Sequence, residues 1–291
     1  MFELIINIIL NSIFYAGILF IISAGLQIIY GVLGIINFAH AGAYMLGLYM
    51  TFSIMNRIIT AHPMLLWTAP IIAAVVVGLF GLIFERVILR FMYHRDPIFQ
   101  ILVTFGMVYI VDDVVRYTWG GYPVGAPPMI SSVLEIGGTV YPVYNLLIIG
   151  VAFVVSFSLW LLFQKTDIGR LIRATSHDEE MTEALGINVT WVKAGTFLFG
   201  SAIAGLAGGL MLSVTGGWPG VGLEYLIMAF VVIVVAGLGS VNGALITALI
   251  IGAVNSIGIQ FFPRIELAIM FILMAVILTV RPSGLFGTPH H

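Results

Sequence analysis

Nine stretches of this sequence each approach the length of apolar chain needed to cross a bilayer, about 20 residues. They cover roughly residues 5–30, 35–56, 64–89, 98–115, 143–163, 193–213, 223–238, 243–260 and 266–280. Runs such as Ile71-Ile72-Ala73-Ala74-Val75-Val76-Val77 do not alternate polar with apolar. A transmembrane β-barrel needs that alternation, in strands of about ten residues. Helices do not, because each satisfies its own backbone hydrogen bonds in lipid. The expected fold is an all-α integral membrane protein, a polytopic helical bundle of 8 or 9 membrane segments. Segments 98–115, 223–238 and 266–280 are short for a full crossing and read as tilted, broken or half-membrane helices.

Composition excludes the main alternatives. Of 291 residues, 61% are hydrophobic and only 8% charged, against roughly 25% charged in an ordinary soluble domain. A soluble enzyme cannot cover its surface with so few charges. A net charge of −2 leaves no basic patch for nucleic acid. Cysteine is absent, which excludes disulfides, thiolate metal sites and cysteine nucleophiles. The first segment is too long for a cleaved signal and follows no basic leader, so it reads as a mature span. Thr288-Pro289-His290-His291 reads as an appended remnant beyond one transmembrane domain, 1–287.

Lys and Arg set the orientation. With the N-terminus outside, Arg86, Arg90, Arg95, Lys165, Arg170, Arg173, Lys193 and Arg281 fall inside, while Arg57, Arg116 and Arg264 fall outside. The expectation is N-terminus out and C-terminus cytoplasmic. Segments 1–4 then start outside and segments 6–9 start inside, with 143–163 as a linker helix. That predicts an inverted repeat of about 5–118 and 193–281, as transporters commonly have. Glycines interrupt both halves, at 31–37 and at 216–222, where broken helices are expected. The external connection 116–142, with Pro123, Pro127 and Pro128, predicts an ordered loop or short hairpin.

The inner loop 164–192 carries the densest charge of the chain. Ser176-His177-Asp178-Glu179 fits a capping box, which predicts a helix at about 177–185 stopped by Gly186. Met181, Ala184 and Leu185 share one face at helical spacing. Such a helix either lies on the lipid interface as a linker or docks into a cytoplasmic partner. Its first turn is acidic and its apolar residues are few, which favours docking.

Here the residues resemble a known family. Gly169-Arg170-Leu171-Ile172-Arg173-Ala174 through Glu183-Ala184-Leu185-Gly186-Ile187-Asn188 resembles the coupling loop of ABC importer permeases. More narrowly, it is similar to the branched-chain amino acid type, LivH and LivM. Gly25-Leu26 through Tyr30-Gly31-Val32-Leu33-Gly34-Ile35-Ile36-Asn37-Phe38-Ala39-His40, then Tyr44-Met45-Leu46-Gly47, resembles that family's first signature. Gly237-Leu238-Gly239-Ser240 with Gly243 resembles its late glycine motif, and Arg281-Pro282-Ser283-Gly284-Leu285-Phe286-Gly287 its ending. Ala41 departs from the glycine usual at that point.

The resemblance implies a multi-pass permease of a bacterial inner membrane, paired with a second permease subunit, identical or not. It implies cytoplasmic ABC ATPases that bind ATP and Mg, and a periplasmic substrate-binding protein. Coupling to the ATPase would fall on Arg173, His177, Glu179, Glu180, Met181, Glu183, Ala184, Leu185 and Gly186. The chain itself has no G-x-x-x-x-G-K-[ST] phosphate loop; its two lysines, Lys165 and Lys193, follow Gln164 and Val192. No cofactor and no catalytic residue is expected in this chain. The implied solutes are branched-chain amino acids or a related small polar solute, with urea, amides and aromatic acids as family alternatives. A passive channel, an ion-coupled carrier and a membrane enzyme are rivals; the last needs convergent acid, base or metal groups.

Polar residues within the spans are the other candidates. Gln27, Asn37, His40 and Asn255 either line a translocation path or satisfy backbone groups freed by helix breaks. One His and one Asn make a poor metal set, and no metal site is expected. Asp112 or Asp113 can pair with Arg116 at the outer interface. Glu85 and Arg86 read as inner-surface anchors or ATPase contacts. Ser201, Gly205 and Gly209, with Ala204 and Gly208, form a small-residue stripe for close helix contact, inside the fold or at a dimer seam.

Overall fold

The computed structural model describes residues 1–58 and 63–287. Residues 288–291, read above as a remnant, lie outside the described residues. Every apolar stretch identified above is helical over most of its described length. In chain order the helices are α1 Phe2–Leu33, α2 Ala39–Ile58, α3 Ala69–Val87, α4 Pro97–Trp119, α5 Val143–Lys165, α6 Asp167–His177, α7 Glu179–Ala184, α8 Val189–Thr215, α9 Val221–Ala236, α10 Val241–Phe261 and α11 Glu266–Val280. Among the described residues, 6 helical segments are long and apolar enough to cross a membrane. α9 and α11, at 16 and 15 residues, stay short as expected. α4 does not: it has 23 residues. It starts where the Asp96 carboxylate accepts the Ile98 N–H at 2.9 Å and Pro97 supplies a preset φ, and it runs past Arg116 to Trp119.

At about 1.5 Å per residue, the 32-residue α1 is roughly 48 Å long, well beyond a 30 Å hydrocarbon core. Its first half is lipid- or solvent-facing; from Ala16 to Ile29 it is almost wholly buried. Its strongest neighbour is α10, and it also packs on α8, α9 and α5. α8 packs mainly on α3 and α2. Exchanging α1 with α8, α2 with α9, α3 with α10 and α4 with α11 carries α1–α10 onto α8–α3, α2–α8 onto α9–α1, α2–α3 onto α9–α10 and α2–α4 onto α9–α11. α10–α11 is the exception, since α4 meets α3 chiefly through the connection between them.

The small-residue stripe of α8 is internal. A Cβ on Gly200 would stand 2.7 Å from the Gly25 carbonyl oxygen of α1. Gly205 takes the Gly47 face of α2 and the Val77 side chain of α3, and Gly208 sits on the Tyr44 carbonyl. Ser201 touches Gly81 of α3. Backbones at such separations gain dispersion contacts that larger residues would prevent.

Both glycine breaks are real. Gly34, at φ 66, ends α1 in the left-handed conformation, and the chain leaves helical geometry until Ala39. Gly216 and Gly220, at φ 69 and 93, frame the second break. Val124 of the α4–α5 connection pairs with Gly217 through backbone bonds of 2.7 and 2.8 Å. That connection also forms a hairpin, β1 Val133–Ile136 with β2 Thr139–Pro142, turned at Gly137-Gly138 with both φ positive. The hairpin leans on α1 through Thr139 Oγ1 to the Glu3 carbonyl and Tyr141 Oη to the Leu10 carbonyl, at 3.1 and 3.2 Å.

The candidate coupling end and the buried polar groups

Four regions far apart in sequence meet at the end of the bundle opposite the hairpin. α1 ends there at Gly31–Gly34. The turn Gly237-Leu238-Gly239-Ser240 lies against it, with a Cβ on Gly31 falling 3.6 Å from Gly239 Cα. Residues 281–287 bond back to the end of α9, Leu285 N–H to Val235 O at 2.8 Å and Phe286 N–H to Ala236 O at 2.9 Å. α6 joins through Ser176, whose hydroxyl donates to the Gly31 carbonyl. So the first signature, the loop, the late glycine motif and the chain ending build one structure. Eight of the 11 Lys and Arg residues lie on the helix ends, short helices and connections at this end.

The capping box does not form as the sequence suggested. Asp178 is the cap, its carboxylate accepting the Met181 N–H at 2.8 Å. Ser176 lies in the last turn of α6 instead, and α7 spans only Glu179–Ala184. Asp178 takes φ −152, ψ 100, so α6 and α7 are separate rods with one extended residue between them. Gly186, at φ 82, ends α7 as anticipated.

On α7 the inward residue is Thr182, 3% exposed. Met181 and Leu185 project outward at 59% and 74% exposure, flanked by exposed Glu180, Glu183 and Ala184. Arg173 and His177 sit on α6, both exposed. Arg173 faces a cleft of about 230 Å³ shared with Gln27, Gln164, Ser240 and Asn242. Glu179 turns the other way, towards α8: Lys193 Nζ donates to both of its carboxylate oxygens, at 2.6 and 2.7 Å.

Lys193 is 6% exposed and lies 4.5 Å above the Tyr93 ring. The Tyr93 hydroxyl donates to Glu85 Oε1 at 2.5 Å. Glu85 is fully buried, so the reading of it as a surface anchor does not hold; the 3-10 turn after α3 folds Tyr93 back over it. Arg86 lies 3.7 Å from Glu85 and places its guanidinium 3.8 Å from the Trp191 ring centre. Burial, then the bond to Glu85, pushes the Tyr93 phenol well above its ordinary value. Sequence reasoning passed over Tyr93 and Trp191. The available signal was Lys193, one of only two lysines, placed at the start of an apolar segment.

The four membrane polar residues do not share one site. Gln27 is fully buried, and its amide is spent on the α9–α10 turn: Nε2 donates to Gly237 O at 2.9 Å and Ser240 O at 3.2 Å, while Oε1 accepts from Gly239 N–H. His40 donates from Nε2 to the Ile22 carbonyl at 2.9 Å. Its Nδ1, and both amide atoms of Asn37, are buried with no hydrogen-bond partner among the described residues. Asn255 lies apart on α10, 3.9 Å from Met270 Sδ, with its Oδ1 unpartnered among the described residues. Asp112 and Arg116 form the anticipated pair at 2.7 Å. No group of three or more His, Asp or Glu among the described residues is placed to hold a metal ion.

A polytopic helical bundle with broken spans and a charged apical helix at one end has the architecture of a membrane transport component. Comparison with known proteins narrows the class. The family "Branched-chain amino acid transport system / permease component" matches residues 8–278. The chain belongs to this family of ABC-transporter permeases and is not an enzyme. It is 29% identical over 282 residues to the high-affinity branched-chain amino acid permease protein BraD of Pseudomonas aeruginosa, covering 92% of this chain and 91% of that one. It is 29% identical over 280 residues to LivH of Escherichia coli, with the same coverage. The ribose import permease RbsC of Haemophilus influenzae shares 33% identity over 129 residues, 40% of each chain. Among solved structures, PsaBC from Streptococcus pneumoniae in complex with Fab superposes with TM-score 0.51 at 13% identity, over 93% of this chain and 89% of that one. That likeness concerns the fold alone.

Proposed function

We propose that this chain is the solute-conducting subunit of an importer that moves branched-chain amino acids, or a related small polar solute, by alternating access. Its N-terminus and hairpin face outward; α6 and α7 face the cytoplasm. A second permease subunit completes the pathway, a soluble binding protein delivers solute to the outer end, and cytoplasmic ATPases bind ATP and Mg and drive the cycle. The observation that carries this reading is the pair Met181 and Leu185. Two large apolar side chains stand exposed on a six-residue helix and its C-cap, rimmed by Glu180 and Glu183. An apex this small cannot anchor in lipid, but it fits a socket on a partner.

The pseudo-symmetric helix contacts support two inverted halves, about 5–118 and 193–281, joined by α5. In such a fold the two breaks, at Gly34 and at Gly216–Gly220, line the region that opens to alternate sides. Asn37 and Asn255 then serve as path groups, because each keeps an unsatisfied buried amide atom that a solute or water can meet. Gln27 serves as a clip instead. The eight-to-three distribution of Lys and Arg supports the orientation.

Copurification tests the reading. The tagged wild-type chain is expected to bring down an ATPase, and Met181→Asp is expected to release it and abolish uptake. Retained uptake in Met181→Asp, with no ATPase recovered from wild type, overturns the proposal.

A further inference from the structure

Glu179, Lys193, Tyr93 and Glu85 form a continuous polar chain from α7 into the bundle, and nothing above gives that chain a task. Its geometry is asymmetric. α6 is held by Ser176 to the end of α1, whose main neighbour is α10. α7 is held by Glu179 to Lys193 of α8, whose main neighbour is α3. The α6–α7 loop therefore straddles the two helix groups, with Asp178 as a one-residue joint between its attachments.

We infer that Lys193 is a positioning residue that delivers displacement of α7 to the α3–α8 group, with Tyr93 and Glu85 as its seat. This rests on the importer reading. A six-residue helix with one buried side chain has little packing by which to drag its neighbours. Its tie to α8 is charge-assisted, with both carboxylate oxygens on one ammonium. The Lys193 side chain is 8% exposed and that of Glu179 46%, so the lysine end of the pair is shielded while solvent and salt reach the carboxylate end. The other side of the ammonium rests on the Tyr93 ring, and Tyr93 is locked to Glu85 on α3. Arg86 on Trp191 closes a second link between α3 and α8. A push on α7 thus reaches α8 and α3 together through Lys193, while α6, which packs on α5 and α8 as well, stays bonded to α1 through Ser176. The resulting shift between the two groups is the motion an alternating-access core needs.

The test uses the complete transporter, with its ATPases and binding protein, in proteoliposomes. Two readouts are taken: stimulation of ATP hydrolysis by loaded binding protein, and ATP consumed per solute imported. Lys193→Met and Glu179→Gln are expected to lower the stimulation about fivefold or more, with the ATPase still copurifying. Lys193→Arg keeps the charge and the ring contact and is expected to stay near wild type. Wild-type coupling in both Lys193→Met and Glu179→Gln overturns the inference. So does loss of the ATPase from both complexes, which makes the pair a docking determinant, and so does Lys193→Arg as defective as Lys193→Met. Should Lys193→Met fail to fold, Glu179→Gln, on an exposed helix, decides. A wild-type complex with no ATP-dependent uptake is a different outcome: it overturns the importer reading and this inference with it.

Discussion

The Gln27 side chain of α1 closes on Gly239: its Oε1 accepts the Gly239 N–H at 2.6 Å, across 212 residues of sequence. Its Nε2 holds two more backbone carbonyls of the same turn. One amide thus satisfies three backbone groups of the turn between α9 and α10, that of Gly237 buried and those of Gly239 and Ser240 part-buried.

Gln27→Leu should strip those three partners while keeping the volume. An unsatisfied buried group costs about 1–3 kcal/mol, so the unfolding midpoint in detergent should fall clearly below wild type. An unchanged midpoint would show that the turn holds without its clip.

Gly47→Val should be far more damaging than Gly106→Ala. A Cβ on Gly47 overlaps the Gly205 backbone, whereas one on Gly106 meets nothing within 4 Å. Overpacking costs roughly 1–3 kcal/mol or more, while Ala for Gly inside a helix gains up to about 1 kcal/mol. Size-exclusion profiles should show aggregation or loss of the first variant and a monodisperse second. Equal behaviour would contradict the helix contact.

The absence of cysteine makes topology directly readable by labelling. Tyr117→Cys and Leu185→Cys replace side chains that are 94% and 74% exposed at opposite ends. A membrane-impermeant maleimide added to intact cells should label the first, and should reach the second only after permeabilisation. The opposite pattern inverts the proposed orientation.

Alkaline pH should loosen the basic end through Tyr93. Its phenol is held well above the ordinary value near 10 by burial and by Glu85. The folded state therefore binds this proton more tightly than the unfolded state does. The resulting stability is complete below pH about 10 and is lost as pH rises beyond it. Tyr93→Phe should show a shallower loss of thermal stability between about pH 10 and 11 than wild type. Parallel curves would refute the assignment.

Arg116→Ala should do little. The Asp112–Arg116 pair is an i,i+4 contact with a half-exposed arginine, a kind worth about 0.3–0.5 kcal/mol. Uptake and melting should both stay close to wild type; a large loss of uptake would mark a contact with another protein.

Helix positions were legible because the signal is long and repeated: each span is a run of apolar residues whose cost in water is large. Helix ends were less so. α4 ran on through Asp112, Asp113 and Arg116 because an internal ion pair lets charge remain on a helix. The capping box at Ser176 misled because Gly31 competes for the same hydroxyl, a partner 145 residues away.

The sequence by itself determined that this chain lives in a bilayer, that its spans are helical, where they break, and which end carries the charge. Those properties follow from local composition, since lipid rejects polar groups wherever they occur in the chain. Only the tertiary structure decided what the few buried polar groups do. It spent Gln27 on a turn, left Asn37 and Asn255 with unsatisfied atoms, turned Glu85 inward to Tyr93, and drew Glu179 to Lys193. Burial and partners depend on which helices become neighbours, and that is a property of packing between segments rather than of any one of them.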